Sequence, residues 1–272
     1  MLSPMATPAV EKTIVFNERK VTYYHHSPPS NTHQALIFIH GWTCSSTLWT
    51  AQSPLLTTYP SILIDLPGHG ASSPPALPFS LELFARSILA VLEAENIKKA
   101  ILIGHSMGGP VCTMFLRLFP SIVSGIIYID SFFNLPQSRL NITDRQILRE
   151  NLQNDEFFNS QVEALLSHGS QTSPAIKKKV KDVMLATSTY TRANATTTDV
   201  LPHLWRADEV FDIPALHVLG PMRKYSDDRW LFHLPRLETN FWEDYGHFPF
   251  LEDPVRFNDE VVEFLERHKL FG

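Results

Sequence analysis

The stretch Ala100-Ile101-Leu102-Ile103-Gly104-His105-Ser106-Met107-Gly108-Gly109 constrains this chain more than any other. Ala100–Ile103 is a short unbroken apolar run, as a buried strand requires, and Met107–Phe119 carries the periodicity of a helix. Only Gly104-His105-Ser106, the start of a Gly-x-Ser-x-Gly pattern, lies between them. A chain that leaves a strand and enters a helix this quickly must turn sharply and pass close to neighbouring backbone. Gly104, Gly108 and Gly109 remove the side chains that would obstruct the passage. Ser106 is left at the crest of the turn. Behind it, the free N–H groups and positive dipole end of the helix favour negative charge.

The rest of the chain supplies a setting for such a turn. Thr13–Phe16 and Val21–Tyr24 read as antiparallel strands joined by a polar turn at Asn17–Lys20. Apolar runs at Ala35–Ile39, Ser61–Ile64, Gly125–Ile129 and Pro214–Leu219 have the unbroken character of strands covered on both faces. A last strand is expected near Leu237–Trp242. Helical patterns at Leu81–Ala94, Met107–Phe119 and Pro254–Arg267 alternate with these runs. Alternation of strand and helix predicts an α/β fold, with a mostly parallel sheet flanked by helices.

That rhythm is interrupted once. Between Phe132 and Phe211 the patterns are helical: Asp144–Leu152, Phe157–Leu166, Ala175–Ala186 and a weaker one near Asp199–Ala207. The expected organisation is a core of residues 1–131 and 212–272 with a helical cap inserted at 132–211. A cap placed there would cover the C-terminal ends of the strands, where open α/β sheets bind ligands.

Composition narrows the partners. With 23 Lys and Arg against 28 Asp and Glu, and a formal charge of −5, the chain lacks the basic excess that phosphate neutralisation needs. The run Lys177-Lys178-Lys179 with Lys181 lies in a helical pattern and reads as a solvated face. No nucleic-acid partner is expected. No segment has the ~18 unbroken apolar residues of a membrane helix, so no membrane partner is expected either. Met1-Leu2-Ser3-Pro4-Met5 lacks the basic start and apolar run of a secretion signal. Cys44 and Cys112 are the only cysteines, which neither a disulfide framework nor a metal site explains. The reading is a cytoplasmic protein acting on a small molecule, with no cofactor and no metal.

With Ser106 in its turn, three further stretches carry a resemblance to the α/β-hydrolase superfamily along nearly the whole chain. His40-Gly41-Trp42-Thr43 follows the strand Ala35–Ile39, where that family places its oxyanion loop. Asp65-Leu66-Pro67-Gly68-His69-Gly70 resembles the family's D-x-x-G-x-G turn. Tyr245-Gly246-His247-Phe248 follows the last strand, where the family carries its catalytic histidine. The resemblance implies that Ser106 is a nucleophile and His247 its general base, since a serine hydroxyl is too weakly acidic to attack unaided. It also implies an oxyanion hole built from the backbone N–H groups of Trp42 and Met107. Among the 12 histidines, His40 and His69 lie in family turns and read as structural, and His105 points away from Ser106.

The third member of the triad is the open choice. Many relatives carry it as Gly-x-x-Asp after the strand corresponding to Pro214–Leu219, but here that stretch is Gly220-Pro221-Met222-Arg223. Asp227 and Asp228 follow, in positions where carboxylates commonly stabilise a helix start. Asp130 ends the strand Gly125–Ile129, beside the nucleophile strand in the family's sheet order. Cofactor-independent dioxygenases and some lactonases resemble that arrangement. Asp130 is the preferred acid, with Asp227 or Asp228 as the alternative.

Trp42, Phe132, Phe133, Phe158 and Trp205 are candidate substrate-binding residues, for which plain packing is the competing role. An aromatic content of 11% favours an apolar acyl substrate. The leading expectation is a serine hydrolase of carboxylesterase or lactonase type, working through an acyl-enzyme. Relatives that hydrolyse epoxides or haloalkanes use a carboxylate nucleophile where Ser106 stands. The alternatives are C–C bond hydrolysis or cofactor-independent dioxygenation at the same site, and a non-catalytic small-molecule receptor.

Overall fold

The computed structural model describes residues 9–28, 33–132, 141–169, 172–195, 204–221 and 229–271. Its strands are β1 (Val10–Phe16), β2 (Arg19–His26), β3 (Gln34–Ile39), β4 (Ser61–Ile64), β5 (Lys99–His105), β6 (Val123–Ile129), β7 (Ala215–Leu219) and β8 (Leu237–Phe241). They form one 8-stranded sheet in the order β1-β2-β4-β3-β5-β6-β7-β8. The pairs β1–β2 and β2–β4 are antiparallel, and every pair from β4 to β8 is parallel. The first hairpin turns more tightly than its polar sequence predicts. Asn17 and Glu18 alone make the turn, both left-handed at φ 47° and 62°, which matches the twist of the flanking strands.

Both faces of the central strands are buried, as their unbroken apolar runs require. Ile37, Ile39, Leu102, Ile126 and Tyr128 pack on one face with the apolar stripes of two helices. Leu36, Phe38, Ile101, Ile103, Ile127 and Ile129 pack on the other. A 3-10 turn at Ser46–Gln52 runs into α1 (Ser53–Thr58), a helical stretch too short for its periodicity to register in sequence. α2 (Leu81–Ala94) starts at Ser80, whose side chain accepts from Leu83 N–H at 3.0 Å. It lies beside α3 (Gly108–Leu118) on the first face.

Between β6 and β7 come α4 (Ile142–Asn151), α5 (Asp155–Leu166), α6 (Pro174–Leu185) and α7 (Thr189–Asn194). Asn141, Asn154, Ser173 and Ser188 cap their first turns through side-chain oxygens. The weak helical pattern near Asp199–Ala207 is corrected in part. Residues 204–207 are not helical, 196–203 lie outside the described residues, and the helix forms earlier, as α7. Its Ser188 cap was the available signal. The chain then closes with α8 (Arg229–His233), α9 (Pro249–Glu252) and α10 (Pro254–Arg267). Phe257, Val261, Phe264 and Leu265 of α10 seal the second face beside Trp49 and Leu55. Among the described residues no helix is long and apolar enough to cross a membrane.

Buried imidazoles pin several of the loops that leave the strands. His40 donates from Nδ1 to Gly41 O (2.8 Å) and accepts Leu66 N–H at Nε2 (3.1 Å). His69 is bonded to Pro67 O (3.1 Å), and His217 accepts Ser131 N–H (3.3 Å). Burial, the largest influence on each, holds His40 at about 4 and His69 and His217 at about 3. His105 is also held well below the ordinary histidine value, first by burial and then by His247. All of them are therefore neutral in the folded chain near pH 7.

These depressed values set a pH dependence. Stability is fully present above the unfolded value near 6.5 and is lost as pH falls toward the folded values, because only the unfolded chain takes up protons there. At pH 5 His40, His69 and His217 each cost about 2 kcal/mol, a sizeable share of a typical domain's stability. Urea unfolding between pH 7 and pH 5 is expected to show a steeply falling midpoint, with His40, His69 and His217 each adding close to one proton taken up on unfolding. A midpoint that stays flat over that window would contradict the assignment.

Candidate active site

Ser106 is the first residue after β5 and has a left-handed backbone at φ 50°, a conformation that non-glycine residues rarely hold. Its N–H still donates to Ile129 O of β6 (3.0 Å), so the ladder holds the residue to the last position. α3 starts two residues later. The glycines around it are there for space. A Cβ on Gly104 would lie 2.5 Å from Cys112 Sγ, one on Gly108 2.3 Å from Ile39 O, and one on Gly109 2.0 Å from Ser131 Oγ. Each of these neighbours belongs to a different segment, which is why three glycines and not one are needed.

Around Ser106 the side chains form a continuous relay. Ser106 Oγ lies 3.0 Å from His247 Nε2, and His247 Nδ1 lies 2.6 Å from Asp130 Oδ2. A carboxylate only accepts, so Nδ1 carries the proton and Nε2 is left to accept from Ser106 O–H. Asp130 is fully buried at the C-terminal edge of β6, with φ 38°. Its other oxygen accepts Gly220 N–H (2.8 Å) and its N–H donates to Val218 O (2.7 Å). The acid is thus wedged between the nucleophile strand and β7. Arg223, Asp227 and Asp228 lie outside the described residues.

Two further residues hold His247 from behind. His105 Nε2 donates to His247 O (2.7 Å), with its ring against the His247 ring at 4.7 Å. Glu252 brackets the histidine: Oε2 accepts Gly246 N–H (2.6 Å) and Oε1 accepts Phe248 N–H (3.3 Å). The sequence reading placed His105 away from Ser106, but missed that the same orientation brings it under His247. Glu252 carries no signal in the sequence, because an acid five residues after a histidine has the pattern of an ordinary helix residue.

The loop after β3 lies directly against the nucleophile. A Cβ on Gly41 would sit 3.1 Å from Ser106 Cβ. Asp65 latches this loop to the next one, accepting Ser46 N–H (2.7 Å) and Ala71 N–H (2.9 Å). Among the described residues, neither Trp42 N–H nor Met107 N–H is donated to a backbone carbonyl. The Trp42 ring meets Phe158 of α5 edge-on at 5.6 Å. Phe158 is fully buried under the Arg192 guanidinium, which sits 4.6 Å from its ring centre. Trp205 is buried in the cluster that also holds Met107, stacked on His233 at 4.8 Å. Phe132 is buried in the cluster that holds Met107, and Phe133 lies outside the described residues. Among the described residues no group of three or more His, Cys, Asp or Glu side chains is placed to hold a metal ion.

Comparison with known proteins agrees with this architecture. The chain is 30% identical over 141 residues to a serine hydrolase-like protein of Danio rerio, a match covering 49% of this chain and 42% of that protein. The matched stretch thus spans less than half of that relative. A Bacillus subtilis (strain 168) protein provisionally named 2-succinyl-6-hydroxy-2,4-cyclohexadiene-1-carboxylate synthase is 26% identical over 252 residues, covering 86% of this chain and 91% of its own. The structure of a thermophilic esterase from Thermogutta terrifontis superposes with TM-score 0.79 at 20% identity, covering 96% of this chain and 99% of that one. The sequence model of the alpha/beta hydrolase family matches residues 36–260. With the strand order, the turn at Ser106 and this match in agreement, the chain belongs to the alpha/beta hydrolase family.

Proposed function

We propose that this protein is a serine hydrolase that cleaves a small, rather apolar ester or lactone through an acyl-enzyme. The observation that carries this reading is the unbroken line Ser106 Oγ–His247 Nε2 (3.0 Å) and His247 Nδ1–Asp130 Oδ2 (2.6 Å). In this reading Ser106 Oγ attacks the carbonyl carbon while His247 Nε2 takes its proton. Asp130 holds the imidazole in the required tautomer and opposes the charge it acquires. The carbonyl oxygen, now negative, accepts from the N–H groups of Trp42 and Met107, with the N-terminus of α3 behind it. His247 then protonates the leaving alkoxide. Water, deprotonated by His247, releases the acid from Ser106. Residues 132–211 act as a cap over this site and exclude solvent.

A second reading rests on one observation, the acid at the end of β6. There the His247–Asp130 pair would abstract a proton from substrate in a cofactor-independent oxygenation, and Ser106 would be auxiliary. Activity that survives Ser106→Ala but vanishes in His247→Ala would select it.

A fluorophosphonate is expected to label Ser106, and short p-nitrophenyl esters to turn over. Absence of both would remove the hydrolase reading. Asp130→Asn is expected to lower kcat by on the order of 10³–10⁴, far more than Asp227→Asn or Asp228→Asn. The reverse order would move the acid to the loop after β7. Glu252→Gln places an amide NH2 against one of two backbone donors, so a kcat loss of roughly tenfold with KM nearly unchanged is expected. Mass spectrometry reads the label on Ser106, and steady-state kinetics on one ester series reads the substitutions.

A further inference from the structure

The strain at this site is not confined to the triad. Thr43, next to Trp42 in the loop after β3, is fully buried and left-handed at φ 55°. A β-branched residue in that region is an outlier, and it persists only where the surroundings over-determine it. Local bonds contribute: Thr43 Oγ1 donates to Trp42 O (2.7 Å), and Cys44 N–H to Gly41 O (3.2 Å). Two other bonds come from about 150 residues away. Trp42 Nε1 donates to Arg192 O of α7 at 3.0 Å, and Thr187 Oγ1 donates to Thr43 O at 2.9 Å. The second bond falls on the strained residue itself.

The acceptor on the far side is firmly held. Arg192 is a buried cation whose guanidinium donates to Leu152 O (2.7 Å), Gln153 O (2.9 Å) and the Asp155 carboxylate, and lies over Phe158. It therefore binds the end of α4, the start of α5 and α7 into one unit. That unit also seats on the turn after β4, where a Cβ on Gly68 would come within 2.9 Å of Thr191 Oγ1.

We propose that the helices inserted between β6 and β7 hold the Trp42–Thr43 loop in its strained conformation, so that seating them on the core completes the oxyanion hole. The oxyanion role rests on the hydrolase reading above; the mechanical link does not. Thr187 and Arg192 are then positioning residues that act through Trp42 N–H. A substrate able to settle the inserted helices would at the same time align the donor that stabilises its own transition state.

The link is tested in the full chain with Thr187→Val, which drops the hydroxyl at nearly constant volume, and Trp42→Phe, which drops the indole N–H. Hydrogen exchange is read at residues 41–45, and kcat and KM on p-nitrophenyl acetate. Both variants are expected to raise exchange in that loop and to lower kcat by about three- to tenfold with KM within about twofold. Thr187→Ser is expected to behave as the parent. Adding Thr43→Gly to Thr187→Val is expected to recover kcat, because glycine takes the left-handed region without penalty. Unchanged exchange at 41–45 in both variants overturns the link, whether or not an ester is turned over, and so does a lower Tm with exchange there unaltered. Raised exchange with unaltered kcat, or a loss confined to KM, overturns the connection to the oxyanion hole. A parent that neither hydrolyses esters nor labels at Ser106 sinks the hydrolase reading and with it that connection, leaving exchange to decide the link alone.

Discussion

Everything at this site depends on forcing the backbone of Ser106 into the left-handed region at the tip of a buried parallel strand. That conformation is unfavourable for serine, and it is kept because the surroundings admit no other. The ladder bond to Ile129 O fixes the residue before the turn, α3 fixes it after, and glycines let three neighbouring segments close in to contact. Moving one of these contacts would move the serine hydroxyl, because a packed interior transmits displacement.

The same device recurs along the sheet edge. Thr43 after β3, Ser106 after β5 and Asp130 after β6 all carry positive φ, at 55°, 50° and 38°. Ser106 and Asp130 are the first residues past the adjacent strands β5 and β6, while Thr43 lies in the loop four residues past the neighbouring β3. A strand end that turned in a relaxed conformation would carry its next residue away along the strand axis. Turning it back through the left-handed region instead keeps the residue over the edge, where side chains from separate strands converge. The loop carrying His247 needs no such strain, and is held by donors and acceptors on either side of the histidine, through Glu252 and His105.

The burial that makes this edge rigid has an electrostatic side. His40, His69, His105 and His217 are all buried, and each serves a loop through a neutral ring. Neutral imidazole is a compact group that can donate at one nitrogen and accept at the other, as His40 does between Gly41 and Leu66. The cost is that loop geometry and folding stability become dependent on pH through the same residues.

Much of this was legible from the chain alone. Unbroken apolar runs located the sheet strands to within a residue or two, because strands buried on both faces can carry little else. Gly104, Gly108 and Gly109 mark the turn, and Arg223 in the place of an expected acid leaves Asp130 as the preferred candidate. These are local signals, written in residues adjacent to the feature they specify. Contacts between distant segments left no such trace. The Thr187–Thr43 and Arg192–Trp42 bonds join residues 144 and 150 positions apart, and Glu252 reaches backbone N–H groups whose identity any residue could supply. Propensity and pattern thus determined the fold and the nucleophile's turn. Which distant groups hold that turn, its histidine and its neighbouring loop in place was decided only when the chain closed on itself, since backbone donors and acceptors are the same at every position.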